Sequence, residues 1–405
     1  MNILFLTTGR LEDIKERGLY TDLVRNLQKQ GANVYSVSAY EKRTKNSTEC
    51  RIEEGVHALR VKTGNVTQCN FIEKGISILC LEGQYKKAIK KYFKGVKFDL
   101  VVYTTPPITL TGIVKWIKNR DSARSYLMLK DIFPQNAVDL GILSTKGPKS
   151  FIYRYFRCKE KKLYALSDKI GCMSQANLNY VIKHNPEIDS SKVEIFPNCI
   201  EVHDMSLSGD ERKAMREKYG IPLDRKIFVY GGNLGKPQGI PFIMECLQRE
   251  KDNQNVFFLI VGSGTEYSKL EVFMRDANLS NALLMSKLPK KDYDRMIGAC
   301  DVGLIFLDYR FTIPNFPSRL LSYMQAKLPV LACTDQTTDI GDVIEKGGFG
   351  WQCRSNDVEA FHERVAEIVE QTDITKYKDA AFIYLRENYS VEEKVSIKLL
   401  ANYKK

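Results

Sequence analysis

Short continuous apolar runs, separated by stretches of helical periodicity, recur along this chain in two successive series. In the first half they are "NILFLTT", "NVYSVSA", "DLVVYTT", "SYLMLKD", "DKIGCMS" and "KVEIFPN". In the second half they are "KIFVYGG", "NVFFLIVGSG", "NALLM", "DVGLIFL" and "LPVLAC". Strands apolar on both faces that alternate with helices predict parallel sheets covered on each side. Between the two series, "FPNCIEVHDMSLSGDERKAM" brings a Pro-Asn turn and irregular polar sequence, which places a domain boundary near residues 200–208. The expected organisation is a Rossmann-like N-terminal domain over 1–203, a second Rossmann-like domain over 204–380, and helices over 381–405 that pack back on the first. Two such α/β domains in tandem set their ligand sites where strands end and helices begin, facing a central cleft.

Composition narrows the partners. The 405 residues carry a formal net charge of +12, with 43% hydrophobic and 27% charged residues, as in a globular protein. Such an excess attracts polyanions: nucleic acid, an anionic membrane face, or phosphorylated small molecules. The basic residues are densest in "GQYKKAIKKYFKGVK" and "RYFRCKEKK", without an aromatic-interleaved stripe or recognition motif, which argues against nucleic acid. Ten cysteines are scattered singly and four histidines lie apart from them, which reads as reduced thiols and no zinc site. No run approaches the ~20 apolar residues of a membrane span, and "MNILFLTTGR" is too short an apolar run for a signal peptide. The expectation is a cytoplasmic protein with at most peripheral contact to the inner face of a membrane.

One helix bears on that contact. In "KSFIYRYFRCKEKKLYALSDK", the amphipathic reading turns Phe151, Tyr155, Tyr164 and Leu166 to the core and the lysines to water. The alternative lays this basic aromatic helix on an anionic membrane surface.

The candidate chemistry lies at turns. After the first strand of the second domain, Gly231 and Gly232 end the run, Asn233 and Gly235 suit a turn, and Gly239 opens the next helix. Small residues there let backbone N–H groups approach a phosphate; an ordinary tight turn is the competing reading. The Gly-Ser-Gly turn of "FLIVGSGTEYSKLE" suits a helix start without any ligand. The loop Lys287–Leu288–Pro289 can hold a flat base by backbone groups. In "IPNFPSRLLSYMQAKLPVLA", a Pro-rich loop enters a helix at Ser318, with Arg319 in the first turn. A cation there opposes the helix dipole, which points either to an anion that reverses the local field or to a solvated surface arginine. In the first domain Asp131 follows "SYLML", where a carboxylate can handle an acceptor hydroxyl or cap the turn ahead of Pro134. Thr7, Thr8, Gly9 and Gly18 bracket the first βα loop on the acceptor side.

The order of these motifs resembles GT-B glycosyltransferases of family 4. The second half carries Gly-Gly-Asn-Leu…Gln-Gly, Val-Gly-Ser-Gly, Leu-Pro…Asp-Val-Gly-Leu and Pro-Ser-Arg-Leu…Tyr-Met…Pro-Val-Leu-Ala, and "LKDIFPQNAVDLGIL" agrees in the first half. The likeness is to the bacterial branch that builds capsule, O-antigen and other lipid-linked glycans. It implies a second domain that binds a nucleotide-sugar, usually with UDP, through Gly232, Asn233, Gln238, Gly239, Lys287, Leu288, Ser318, Arg319 and Ser322. It implies an acceptor side at Thr8, Gly9 and Gly18. Many members place an arginine and a lysine in the glycine loop; Asn233 and Gln238 occupy those positions here. A glutamate pair of many members is matched by Pro314 and Ser322. With those charges gone, Arg319, and secondarily Lys236, are left to meet a diphosphate.

The resulting expectation is transfer of a sugar from a UDP-sugar to a hydroxyl of a lipid-linked saccharide, without cofactor or metal, and with the retention the family suggests. Asp131 is the catalytic candidate. No Asp-x-Asp pair is present to hold a metal. Two rivals stay open: a non-catalytic nucleotide-sugar binder, separated by turnover with any donor, and a GT-B-type nucleotide-sugar epimerase, which needs no acceptor. A dehydrogenase is disfavoured because "LTTGRLED" lacks the dinucleotide fingerprint.

Overall fold

A computed structural model describes residues 1–9, 11–66, 69, 71–148 and 150–401, which divide into two compact units. One comprises Met1–Glu201 together with the chain from Ser390 onward; the other is Val202–Tyr389. Residues 381–389, expected to fold back with the closing helices, therefore belong to the second unit. Their apolar side chains decide it: Ala381, Leu385 and Tyr389 are buried, and the Tyr384 ring lies 5.1 Å from that of Phe349.

The first unit is built from β1 (Asn2–Leu6), α1 (Leu19–Lys29), β2 (Asn33–Glu41), β3 (Glu49–Glu53), β4 (Val56–Thr63), α2 (Phe71–Tyr92), β5 (Leu100–Thr104), α3 (Thr111–Asp121), β6 (Arg124–Leu129), α4 (Gln135–Asp139), α5 (Ser150–Leu166), β7 (Lys169–Cys172), α6 (Gln175–His184) and β8 (Val193–Ile195). Its sheet runs β3-β4-β2-β1-β5-β6-β7-β8 and is parallel except for β3, which pairs antiparallel with β4. That hairpin departs from the expected all-parallel pattern. Glu54 and Gly55 both take positive φ, 50° and 76°, the geometry of a two-residue turn whose twist matches the strands. Strand alternation feeds two cores. Leu4 and Leu6 join Leu81, Tyr85, Ile113 and Leu163 on one face. Ile3 and Phe5 join Leu23, Leu27, Val391 and Leu399 on the other.

On α5 the structure reverses part of the expectation. Tyr164 is buried, but Phe151 and Tyr155 are exposed rather than turned to the core. The buried stripe of this helix passes through Ser150, Glu160, Leu163 and Tyr164, leaving Phe151 and Tyr155 on the other side.

The second unit follows with α7 (Gly209–Tyr219), β9 (Lys226–Asn233), α8 (Ile240–Arg249), β10 (Val256–Ser263), α9 (Tyr267–Asp276), β11 (Ala282–Ser286), α10 (Lys290–Gly298), β12 (Val302–Phe306), α11 (Arg319–Gln325), β13 (Val330–Thr334), α12 (Ile340–Lys346), β14 (Gly350–Arg354), α13 (Val358–Glu370) and α14 (Thr375–Tyr389). Its parallel sheet runs β11-β10-β9-β12-β13-β14. In both sheets the order reverses beside the first strand, between β1 and β5 and between β9 and β12. Such a reversal opens a crevice at the carboxyl ends of the strands, where ligands of doubly wound folds bind.

Two arginines hold the loop that leaves β1. Arg60 is buried, donates to the Leu11 carbonyl at 2.6 Å, and forks onto Glu53 at 2.7 and 2.6 Å. Arg25 donates to the carbonyls of Ile14 and Glu16 and to Asp22 and Glu201. The Arg60 hydrogen bonds hold the Glu53 carboxyl below its ordinary range. A depressed carboxylate stabilises the fold above its unfolded pKa of 4.5 and loses that contribution as pH falls through the lower folded value. Glu53→Gln leaves a buried cation without its anion, so urea unfolding at neutral pH should show a loss of about 3 kcal/mol. A loss below about 1 kcal/mol, the range of exposed pairs, would contradict this role.

Candidate functional site

The crevice of the second unit contains a pocket of about 580 Å³. The end of β9 contributes Gly231–Asn233, the end of β10 Val261–Ser263, and the loop into α10 Lys287–Lys290; Tyr293, Arg319 and Ser322 complete it. Its wall thus carries three cations, Lys287, Lys290 and Arg319, and no carboxylate. Lys290 shares its charge with Asp294 at 3.0 Å; among the described residues Arg319 has no such anion.

Close backbone approach shapes this wall. Gly232 has φ +136°, and a Cβ there would sit 3.1 Å from a terminal nitrogen of Arg319. A Cβ on Gly262 would fall 2.0 Å from the Gly232 carbonyl oxygen, so β9 and β10 come together here only because Gly262 is bare.

Arg319 opens α11, a helix of only seven residues. Its guanidinium carbon lies 4.2 Å from the centre of the Tyr230 ring, a cation–π contact worth up to about 2 kcal/mol when desolvated. One terminal nitrogen, Nη1, is buried without a hydrogen-bond partner. Burial opposes the charge, but the phenols of Tyr230 and Tyr323 outweigh it and leave the guanidinium pKa above its ordinary value. Arg319 is thus not a freely solvated surface arginine: the residue is half-buried on the pocket wall, and its enclosed Nη1 is short of an acceptor. Tyr323 fixes the adjoining backbone, its hydroxyl lying 3.2 Å from the Gly231 nitrogen.

Of the residues read as donor-binding, Gly232, Asn233, Lys287, Leu288, Arg319 and Ser322 share this pocket. Three others do not line it. Gln238 is buried, and its Oε1 accepts from Asn233 Nδ2 at 3.0 Å and from the Gly235 nitrogen at 3.1 Å, so it braces the loop from behind. Gly239, at φ +62°, starts α8. Ser318 is exposed at the start of α11, with no side-chain cap. Lys236 is exposed and also off the wall, so Lys287 and Lys290 are the cations that accompany Arg319. Tyr230 and Tyr293 escaped sequence reasoning because an apolar strand and an amphipathic helix accommodate tyrosine without any ligand.

At the carboxyl ends of the first sheet, Thr8 Oγ1 donates to the Pro106 carbonyl at 3.2 Å, and the Gly9 nitrogen donates to Thr7 Oγ1 at 3.0 Å. A Cβ on Gly9 would lie 3.0 Å from the Tyr20 ring. Gly18 begins α1 and donates to Asp22 Oδ1 at 3.0 Å, a structural role at the helix start. Asp131 lies two residues beyond β6, and its carboxylate accepts from Asn136 Nδ2 at 2.6 Å, which ties it to the first turn of α4. Burial, reinforced by Glu160, pushes its pKa up to about 6. The hydrogen bond to Asn136 gives this carboxyl a turn-fixing role. Beside it, burial lowers the Lys130 pKa to about 8. No group of three or more His, Cys, Asp or Glu side chains suited to a metal ion occurs among the described residues. No helix among them is long and apolar enough to cross a membrane.

Residues 211–382 match the family described as "Glycosyl transferases group 1". A relative described as "Probable glycosyltransferase WbjE", from Pseudomonas aeruginosa, is 24% identical over 305 residues, covering 75% of this chain and 74% of its own. "Putative colanic acid biosynthesis glycosyl transferase WcaI", from Escherichia coli, is 23% identical over 253 residues, 62% of this chain and 60% of its own. Among solved structures, Anabaena HepE in complex with UDP superposes with a TM-score of 0.70 at 13% identity, over 99% of this chain and 100% of that one. At such identity the superposition speaks for the fold, which is GT-B.

The Asp131 environment has a thermodynamic signature. A carboxyl raised from 3.8 to about 6 contributes fully below the unfolded value and loses that contribution as pH rises through the folded one. Asparagine cannot ionise. The stability difference between Asp131→Asn and wild type should therefore move in the variant's favour by about 2 kcal/mol from pH ~4 to ~8. Parallel stability curves in thermal melts across that range would contradict a raised pKa.

Proposed function

We propose that this chain, a glycosyltransferase by its group 1 domain and its GT-B fold, moves a sugar from a UDP-sugar to a hydroxyl of a lipid-linked saccharide during cell-surface polysaccharide synthesis. Support for the donor comes from the pocket wall, which carries three cations, of which Lys290 is paired with Asp294 outside it, and where the guanidinium of Arg319 keeps one buried nitrogen unbonded. That is the observation that carries the reading. A nucleoside diphosphate supplies the missing acceptor and matches the fork of the guanidinium. The names of WbjE and WcaI support a polysaccharide pathway, and UDP in HepE supports the nucleotide.

In the proposed reaction the bond between the anomeric carbon and the diphosphate oxygen breaks, and the acceptor oxygen bonds to that carbon with retention. Charge develops on the departing UDP, where Arg319, Lys287 and Lys290 stabilise it. Asp131 orients the acceptor hydroxyl and accepts its proton, a role suited to a carboxyl with pKa about 6. The reading needs no cofactor and no metal, since side chains meet the diphosphate. It sets the protein on the cytoplasmic side, in peripheral contact with the membrane that holds its acceptor.

Arg319→Ala should weaken UDP binding about ten- to a hundredfold, because hydrogen bonds to charged groups contribute roughly 1.5–3 kcal/mol. Arg319→Lys should recover only part of it. Calorimetry with UDP and with uridine separates the phosphate contribution; unchanged UDP affinity in a folded Arg319→Ala variant would remove the site. Asp131→Asn should cut turnover about 10²–10⁴-fold with UDP affinity intact, and near-normal turnover would leave Asp131 only its turn-fixing role.

A further inference from the structure

The amino ends of the second sheet carry a further concavity, of about 540 Å³, which no step of the proposed reaction uses. Arg212, Lys213 and Arg216 line it from α7, Asp224 and Arg225 from the loop that follows, Lys226 from the start of β9, and Asp301 from just ahead of β12. Strand β9 runs from Lys226 to Asn233, so at about 3.3 Å per residue roughly 20 Å of strand separates this concavity from the donor pocket.

Its charges do not balance. Five cations line it and only two carboxylates, Asp224 and Asp301. Asp301 is fully committed: Oδ1 accepts from Arg212 at 2.6 Å, and Oδ2 accepts from Arg216 at 2.7 Å and from the Ile227 nitrogen at 2.8 Å. Those two arginines also staple backbone. Arg212 donates to the carbonyls of Gly298 and Cys300 at the end of α10, and Arg216 to those of Pro222, Leu223 and Arg225. Structure therefore accounts for Arg212 and Arg216, and for Lys226, whose Nζ donates to the carbonyls of Ile368 and Gln371. It does not account for the other two cations. Arg225 has no ion pair among the described residues; its Nη2 donates to Gln254 Oε1 at 3.0 Å, and its Nη1 is enclosed without an acceptor. Lys213 has only exposed Glu217, at 4.0 Å. Burial and the like charges of Arg212 and Arg216 also lower the pKa of half-buried Lys378 on α14, so the surplus of positive charge is felt beyond the wall.

We propose that this concavity is a second anion site, which takes a compact, free diphosphate or phosphate ester held by Arg225 and Lys213. Such a ligand supplies the acceptor that Arg225 Nη1 lacks and offsets the excess of positive charge, and its oxygens match the fork of a guanidinium. The bonds from Arg216 to the loop carbonyls fix the backbone of Arg225, so the site is formed in advance. A solvated basic patch would explain Lys213 alone, but not an enclosed guanidinium nitrogen left unbonded. Asp224 and Asp301 interrupt the cations, whereas a nucleic-acid backbone needs a continuous basic track. The concave wall suits a compact anion better than the flat face of a bilayer. The site stands apart from the donor pocket and does not rest on the proposed reaction.

Calorimetric titration of inorganic pyrophosphate into the full chain carrying Arg319→Ala tests it, because that background disables the cation of the donor pocket. One pyrophosphate should bind, with an affinity that salt weakens. In the same background Arg225→Gln and Lys213→Gln should each weaken binding about tenfold, and the two together about a hundredfold, as lost hydrogen bonds to a charged ligand do. Lys213 is exposed, so Lys213→Gln should keep the parent melting temperature and stays informative even where Arg225→Gln fails to fold. No binding in the Arg319→Ala background, or undiminished binding by either folded variant, would overturn the proposal. So would an affinity for sulfate equal to that for pyrophosphate, which would reduce the site to a generic charge. Displacement of pyrophosphate by phosphatidylglycerol vesicles or by a duplex DNA oligonucleotide would assign the surface to a lipid headgroup or to nucleic acid and overturn it as well.

Discussion

A guanidinium held over a phenol ring with one nitrogen unbonded is the interaction on which the site of the second unit depends. An unpaired charge removed from water costs several kcal/mol, and a desolvated cation–π contact returns only about 2. The fold nevertheless places Arg319 over Tyr230, and no carboxylate lines the pocket to neutralise it. The bare position at Gly232 leaves room beside this cation: a Cβ there would crowd the guanidinium at 3.1 Å. The arrangement is poor for stability and good for an anion. That imbalance is what a binding site for a diphosphate requires, because the ligand itself completes the electrostatics.

The two units share one topological device. Each sheet reverses its strand order beside its first strand, which frees the carboxyl ends of the strands for ligands. In the second unit glycine-bearing strand ends and cations line that edge. In the first, Arg25 and Arg60 hold the loop leaving β1 through its carbonyls, and burial raises the Asp131 pKa just beyond β6. Buried arginine pairs are weak sources of net stability, but they specify one conformation of a loop that lacks regular structure.

Much of this was legible in the residues, for identifiable reasons. Continuous apolar runs such as "DLVVYTT" have no solvent-facing alternation, so they read as central parallel strands, and β5 is one. The β3–β4 hairpin was missed because edge strands alternate polar and apolar residues and so lack that signal; Ile52 on β3 is exposed. Arg319 stood out because a cation in a first helical turn is unfavourable, and the structure supplies a further reason for its place, the Tyr230 ring. That ring belongs to a strand 89 positions earlier in the chain, and no local pattern connects the two. Gln238 and Ser318 were placed by motif order alone, which fixes a residue's loop but not the direction of its side chain; one braces the loop and the other faces solvent. Phe151 and Tyr155 failed for the opposite reason. Periodicity identifies a stripe on α5 but does not say which of two stripes the core will take.

The most direct test of the central claim is a crystal structure of the full chain with UDP. The account predicts diphosphate oxygens within about 3 Å of the Arg319 guanidinium, with Nη1 engaged, and the uracil near the Lys287–Pro289 loop. UDP bound with its phosphates away from Arg319, and the guanidinium still short of an acceptor over Tyr230, would contradict it.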